Sequence, residues 1–354
     1  MPIQRFTAQN FRCLESIELE PDPRYTLICG PNASGKTSLL EALAYLGRGK
    51  SFRDSQTGNL IRHGEQAFLL FGRVEIAGRT ASVGVRNSRE GLEVRIDGEN
   101  EAGAAALAAA LPLQVIDPAV HHLVSGGPDE RRRFLDWIAF HVEPDYLDLW
   151  RRFRRTLKQR NAALKSPGAG GGLDAWDTEF VTLGERVDTT RRRVLRRALP
   201  ALEEQGNALL ASRVGFEYSS GWSAEKSLPE ALADNAQRDR LMGSTQAGPH
   251  RADLRLSYDE RQARRLVSRG QQKLLASAMI LAAAETAQAV LERPLLLLLD
   301  DPAAELDRES LQRLLARVEG LGSQVIATSL EHSALEFPQS PTVFHVEHGV
   351  LSRA

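Results

Sequence analysis

Eight residues, Gly30-Pro31-Asn32-Ala33-Ser34-Gly35-Lys36-Thr37, fit the pattern G-x-x-x-x-G-K-[ST]. Glycines at both ends let backbone N–H groups turn inward on an anion, the lysine reaches the outer phosphates, and a following helix presents its positive end. Thr37 offers a hydroxyl to Mg²⁺, with Ser38 beside it. Far along the chain, the apolar run 295–299 ends in Asp300-Asp301. A buried strand brings one carboxylate, Asp300, to its C-terminal edge, where it can hold the same metal. Asp301 can then polarise an attacking water. A third piece, Ser268-Arg269-Gly270-Gln271, opens a helix. A serine hydroxyl with glycine N–H groups there makes an anion site, although a plain serine cap looks the same. The parts are those of a Mg²⁺-dependent nucleoside-triphosphate site, with Lys36, Asp300 and Asp301 as its catalytic candidates and Ser268 as a further anion-binding one.

The elements that must position these groups follow from periodicity. Strand patterns cover 3–10, 14–19 and 25–29, the last feeding the glycine loop, and 37–46 has helical spacing. Segments 68–76, 79–86 and 92–96 alternate apolar with polar as an antiparallel meander does. From about 118 to 241 the pattern turns helical, over 131–141, 146–164, 176–199 and 202–212. Ser166-Pro167-Gly168-Ala169-Gly170-Gly171-Gly172 forces a turn, read either as the tip of a helical hairpin or as a domain linker. Helix 271–291, strand 295–299, helix 308–318 and strand 324–328 then restore the first pattern. The expected fold is α/β with a mixed sheet, split over 1–117 and 242–354. Ser268-Arg269-Gly270-Gln271 resembles the signature of ATP-binding-cassette proteins, and that resemblance implies a P-loop head of cassette type. A mainly α-helical arm, 118–241, is inserted into it.

Composition agrees with two globular domains: 354 residues, 42% apolar, 26% charged. The formal net charge of −1 means that any nucleic-acid surface must come from local segregation of charge. Cys13 and Cys29 form no C-x-x-C and read as buried thiols of a reducing compartment. There is no signal-peptide pattern, and the apolar runs 104–111 and 294–299 are too short to span a bilayer, so a cytoplasmic protein without a membrane partner is expected. Arginines cluster in the arm as Arg151, Arg152, Arg154 and Arg155, then Arg191, Arg192 and Arg193. They read either as a sequence-independent DNA-phosphate surface or as a solvated face paired with acids.

With these pieces in place, the chain resembles the RecF family of bacterial recombination mediators, relatives of the SMC heads. The resemblance is carried by Asn10-Phe11-Arg12, the 30–37 loop with Leu39-Leu40-Glu41-Ala42, and Ser51-Phe52-Arg53. It continues through Gly126-Gly127-Pro128 with Arg131-Arg132-Arg133-Phe134-Leu135-Asp136, and Gly248-Pro249-His250-Arg251. Ser268-Arg269-Gly270-Gln271-Gln272-Lys273 and Asp300-Asp301 with Glu305-Leu306-Asp307 complete it. These follow the family's order through nearly the whole length, whereas the arm matches only in kind. The resemblance implies that Ser268, Gly270 and Gln271 reach the γ-phosphate held by a second subunit, in a homodimer driven by ATP. It implies a phosphate contact for Arg12, against surface pairing, and a metal link through Gln114, against an ordinary polar residue. It further implies a clamp on duplex DNA and single-strand gap junctions, with slow DNA-stimulated hydrolysis, acting with RecO and RecR in RecA loading for recombinational repair and replication restart. The family often has a serine at Ala304 and an acid at Ala252. Where related heads carry a histidine after strand 324–328, this chain has Ser329, with His332 close by. An ATPase subunit of a membrane transporter would share both nucleotide motifs. It would leave the arginine-rich insertion unexplained, as well as Asp301, where transporters prefer glutamate. A nuclease of the overcoming-lysogeny type would need a further metal-binding domain.

Overall fold

The computed structural model describes residues 1–54, 56–76, 78–101, 103–165, 173–304 and 306–354. The expected turn at 166–172 and Glu305 lie outside them. The chain runs β1 (Ile3–Phe11), β2 (Leu14–Leu19), β3 (Tyr25–Cys29), α1 (Lys36–Arg48), β4 (Ala67–Ile76), β5 (Arg79–Ser88), β6 (Gly91–Ile96), β7 (Glu99–Glu101), α2 (Ala104–Ala110) and β8 (Leu113–Ile116). Then come α3 (His122–Ser125), α4 (Pro128–Val142), α5 (Tyr146–Lys165), α6 (Leu173–Leu210), β9 (Val214–Ser219), α7 (Leu228–Met242), β10 (Asp253–Tyr258), β11 (Arg261–Gln262), α8 (Ala263–Leu266) and α9 (Arg269–Leu291). The last stretch is β12 (Leu296–Leu299), α10 (Arg308–Gly320), β13 (Gln324–Ser329), β14 (Thr342–Glu347) and β15 (Val350–Arg353).

Two compact units result: residues 1–120 with 292–354, and residues 121–291. The first holds two sheets. One is antiparallel, in the order β2-β1-β4-β5-β6-β7. The other, β15-β14-β3-β13-β12-β8, is parallel except at β15. Its central strands β3, β12 and β13 are buried at every residue, which is why they read as apolar runs rather than alternations. Helix α1 shares one core with both sheets: Leu39, Leu40, Leu43 and Leu46 lie among Phe6 and Phe68 of the antiparallel sheet and Leu296 and Leu298 of the parallel one. Tyr45 and Phe11 meet Phe68 edge-on, each at 5.0 Å between ring centroids. The helix that follows the glycine loop is thus held from several sides.

In the second unit α5 and α6 lie antiparallel, with Phe153 against Phe180 and Arg160 on Asp177, which favours the hairpin over the linker. Helix α6 continues unbroken through Pro200, where the sequence led us to expect two helices. Proline forfeits one N–H bond there, yet its fixed φ remains compatible with a helix. The later boundary falls at 291 rather than 241, because α9 packs on α4 and α6 and β10 pairs with β9. The count of uninterrupted apolar runs also missed α9. By length and hydropathy α9 could cross a membrane, but 67% of its most apolar window is buried in the fold, as befits a core helix.

Candidate functional site

The glycine loop leaves β3 and enters α1 in one tight passage. Gly30 has φ of +152°, and a Cβ there would stand 2.2 Å from the Val346 carbonyl oxygen on β14, so no other residue fits. The Lys36 ammonium folds back across the loop and donates to the carbonyls of Gly30 at 2.6 Å and Pro31 at 2.8 Å. Burial pushes its pKa down, opposed by the carboxylates of Asp301 and Asp300.

Asp300 stands just past β12, its N–H still bonded to the Ile116 carbonyl of β8. Its Oδ1 accepts from the Thr37 hydroxyl and from the Thr328 hydroxyl, both at 2.9 Å. Thr328, in β13, also accepts the Asp301 N–H at 2.9 Å. Asp301 has φ of +45°, a left-handed conformation that costs energy for a non-glycine residue and that clusters at functional sites. These groups face a hollow of about 220 Å³ lined by Cys13, residues 32–38, Arg53, Asp300, Asp301 and Thr328. Ser34 is buried, and its hydroxyl has no partner among the described residues. The arrangement presents N–H groups, a hydroxyl and an ammonium to an anion, and a hydroxyl with a carboxylate to a hard cation. Cys13, expected as a buried thiol, is exposed beside the hollow, and Arg53 was singled out only for the family resemblance. Thr328 escaped the sequence reading, its signal being a polar residue near the end of an apolar strand beside β12.

Two expected site residues are placed elsewhere. Gln114 lies inside β8, paired with Leu297, and its side-chain oxygen accepts from Arg48 at 3.2 Å. Arg48 ends α1, roughly 16 Å of helix away from Thr37. The reading of Gln114 as a metal ligand is therefore corrected: its carbonyl end serves the far end of α1. Arg12 does not line the hollow either. Its guanidinium forks onto Glu41, with both bonds at 2.7 Å, and Glu41 also accepts from the Ser51 hydroxyl. Glu41 is fully buried, so Arg12 neutralises it and ties the 51–54 segment to α1.

Ser268 and Gln271 cap α9 reciprocally. The Gln271 N–H donates to the Ser268 hydroxyl at 3.3 Å, and the Ser268 N–H donates to Gln271 Oε1 at 2.9 Å. This is a capping box, and it leaves the serine exposed at the helix N-terminus with Gly270 in the first turn. His332 is exposed and Ser329 buried, and neither lines the hollow.

The arm arginines divide. Arg191 is corrected: it is fully buried, forked onto Asp136 at 2.8 and 3.1 Å and bonded to the Pro249 carbonyl at 2.6 Å, so it cannot reach DNA. Arg193 forks onto Glu143 at 2.7 and 2.5 Å, Arg192 pairs with Asp188 at 2.7 Å and Arg152 with Glu179 at 2.9 Å. Arg151 lies 3.8 Å from Asp148, and Arg154 sits over the Trp150 ring. Among the described residues Arg155 has no acidic partner. All of these except Arg191 are exposed.

A parallel sheet that converges a glycine loop, a strand-end aspartate pair and a threonine on one hollow, beside an antiparallel sheet, defines an α/β P-loop head. The sequence model described as RecF/RecN/SMC N terminal domain matches residues 2–352. The chain is 41% identical to the DNA replication and repair protein RecF of Thioalkalivibrio sulfidiphilus over 99% of both chains. It is 38% identical to that of Pseudomonas entomophila, over 100% of this chain and 98% of the relative. It belongs to the RecF/RecN/SMC family and, within it, to the RecF proteins of DNA replication and repair. Its fold matches a solved structure of the recombination mediator protein RecF with ATP in the RecFOR pathway, with a TM-score of 0.90, 24% identity, and coverage of 100% of this chain and 97% of that one. An Smc head bound to the C-terminal winged-helix domain of ScpA matches at 0.60, with 15% identity, over 100% and 97%.

Proposed function

We propose that this chain is an ATP-dependent DNA-binding protein of recombinational repair and replication restart, a homodimeric clamp that opens on slow ATP hydrolysis. The observation that carries the reading is the convergence of Lys36, Thr37, Asp300, Asp301 and Thr328 on one hollow that also receives the orphaned Ser34 hydroxyl. Those groups suit a magnesium-bound triphosphate: N–H groups and the serine for phosphate oxygens, Lys36 for the outer phosphates, Thr37 and Asp300 for the metal. Bound Mg-ATP supplies the electrophilic terminal phosphoryl group. Lys36 turns from the loop carbonyls to donate outward, and Asp301, fixed by Thr328, orients a water and takes its proton. Ser268, with the first-turn N–H groups of α9 from a second copy, closes the anion site.

Duplex and gap-junction DNA, RecR and RecO are the partners this reading entails. The relatives' name and the RecFOR pathway named for the structural relative support it, as do the exposed arm cations, Arg155 first among them. A transporter subunit finds no support among the relatives. Sedimentation with Mg-ATP and duplex DNA tests the mechanism. Lys36→Met is expected to abolish ATP binding. Ser268→Arg is expected to keep nucleotide binding but lose ATP-driven dimers, and normal dimerisation of that variant would refute the shared site. Asp301→Asn should retain the dimer while slowing hydrolysis by about 10²–10³-fold.

A further inference from the structure

The antiparallel sheet buries one face, with Phe6, Ala8, Phe68, Leu70, Val83 and Val85 in the core, and turns the other to solvent. A solvent face of this kind should be polar. At its centre, however, Phe71 is 36% exposed and Leu69 44%. The register explains what surrounds Phe71. It stands in a row across four strands, Thr7, Phe71, Gly84 and Arg95, with Arg5, Arg73 and Ser82 forming the row beside it. Gly84 contributes no side chain, and a Cβ built there would meet nothing nearer than 4.0 Å. The result is an open hollow of about 380 Å³ with the phenylalanine on its wall. A glycine inside a strand can mark a bulge, a bend or a close approach to the backbone, and the β4–β5–β6 register runs past Gly84 without a shift, which argues against a bulge.

The charges around the hollow are not evenly spent. Arg86 pairs with Glu93 at 2.5 Å and Arg5 with Glu18 at 2.5 Å. Among the described residues Arg95 bonds only to the neutral Asn100, at 3.1 Å, and Arg73 has no carboxylate partner. Phe71 therefore lies between two uncompensated guanidinium groups, one two residues along its own strand and one across the hollow. An apolar peptide would need the phenylalanine but not the two cations. A duplex would satisfy the cations but keeps its base faces stacked inside. The ligand that uses both is an unstacked nucleobase flanked by backbone phosphates.

We propose that this sheet face is a binding platform for single-stranded nucleic acid, with Phe71 stacking a base over Gly84 while Arg73 and Arg95 take the flanking phosphates. The proposal deepens the DNA-binding reading and rests on it: it names the element that would distinguish the single strand of a gap from plain duplex.

The test is fluorescence anisotropy of the full chain, with Mg-ATP and without nucleotide, on a labelled oligothymidylate and on a blunt duplex of equal length. Phe71→Ala is expected to weaken the single strand by on the order of tenfold and leave the duplex unchanged. Phe71→Trp is expected to retain wild-type affinity for the single strand. Arg73→Gln and Arg95→Gln should each lower the salt dependence of single-strand binding by about one phosphate contact. Thermal melting of each variant separates these effects from unfolding. Unchanged single-strand affinity in Phe71→Ala overturns the platform, as does an equal loss on both DNAs. Rescue by Phe71→Leu as complete as by tryptophan also overturns it, because leucine packs but does not stack. If the wild-type chain binds the duplex and not the single strand, the platform alone falls. If it binds neither DNA, with or without ATP, the DNA-binding reading falls with it.

Discussion

Gly349, in the turn between β14 and β15, donates its N–H to the Ser34 carbonyl of the glycine loop at 2.9 Å. Its φ is +77°, and an added Cβ would lie 2.7 Å from the Cys13 carbonyl oxygen. Gly349→Ala therefore carries two separable costs. The left-handed backbone costs about 1–2 kcal/mol for any residue with a Cβ. Relief of the contact must move the turn off Cys13, and if that breaks the bond to Ser34 another kcal/mol or so is lost, now from the loop itself. Gly78 supplies the control. Its φ is +76°, it sits in the β4–β5 turn, and a Cβ there would meet nothing within 4 Å. Urea denaturation should find Gly78→Ala destabilised by the backbone term alone and Gly349→Ala by about 1 kcal/mol more. A fluorescent ADP analogue should bind Gly78→Ala as it binds the wild type and Gly349→Ala about five- to tenfold more weakly, the factor that 1–1.4 kcal/mol corresponds to. Equal nucleotide affinity in the two variants would show that the C-terminal hairpin does not hold the loop.

Thr328→Val removes the hydroxyl that joins Asp300 to the Asp301 N–H. It should slow ATP hydrolysis about five- to 150-fold, the equivalent of 1–3 kcal/mol, with a smaller change in nucleotide affinity. Wild-type turnover would remove Thr328 from the site. Arg191→Ala strips Asp136 of its partner and should cost about 3–5 kcal/mol in urea unfolding. Arg155→Ala should change stability by less than about 0.5 kcal/mol while lowering the salt slope of DNA binding by about one; the reverse pattern would contradict the division of the arm drawn above. His250 is held neutral by burial, with its pKa pushed down to about 4 against a partly offsetting bond to the Thr245 carbonyl, and its Nδ1 has no partner among the described residues. The unfolded chain protonates this ring near pH 6.5. As pH falls from 6.5 towards 4, the unfolded state gains a proton that the folded state refuses, and stability should drop by roughly 3 kcal/mol. His250→Gln should flatten that part of the stability profile, and an unchanged profile would mean that another group titrates.

Legibility followed the range of the interactions that fix each feature. Strands β2 and β3 and the start of α10 stand where periodicity put them, because burial on one or both faces leaves its period in the local sequence. The glycine loop and Asp300 were legible for the same reason: a strand, a turn and a helix start are local facts, and the chemistry sits at their junction. Gln114 and Arg191 were not. What each side chain does depends on a partner dozens of residues away, Arg48 for one and Asp136 for the other, and composition cannot distinguish a cation aimed at phosphate from a cation spent on a buried acid. The unit boundary failed in the same way, since α9 reads as head by sequence order and belongs with α4 and α6 by packing. The signature residues lie between the two cases. Ser268 and Gln271 form a capping box, so the local reading is true, yet an exposed, capped N-terminus is also what an anion from another molecule would require. One geometry serves both roles, and only the dimerisation of Ser268→Arg separates them.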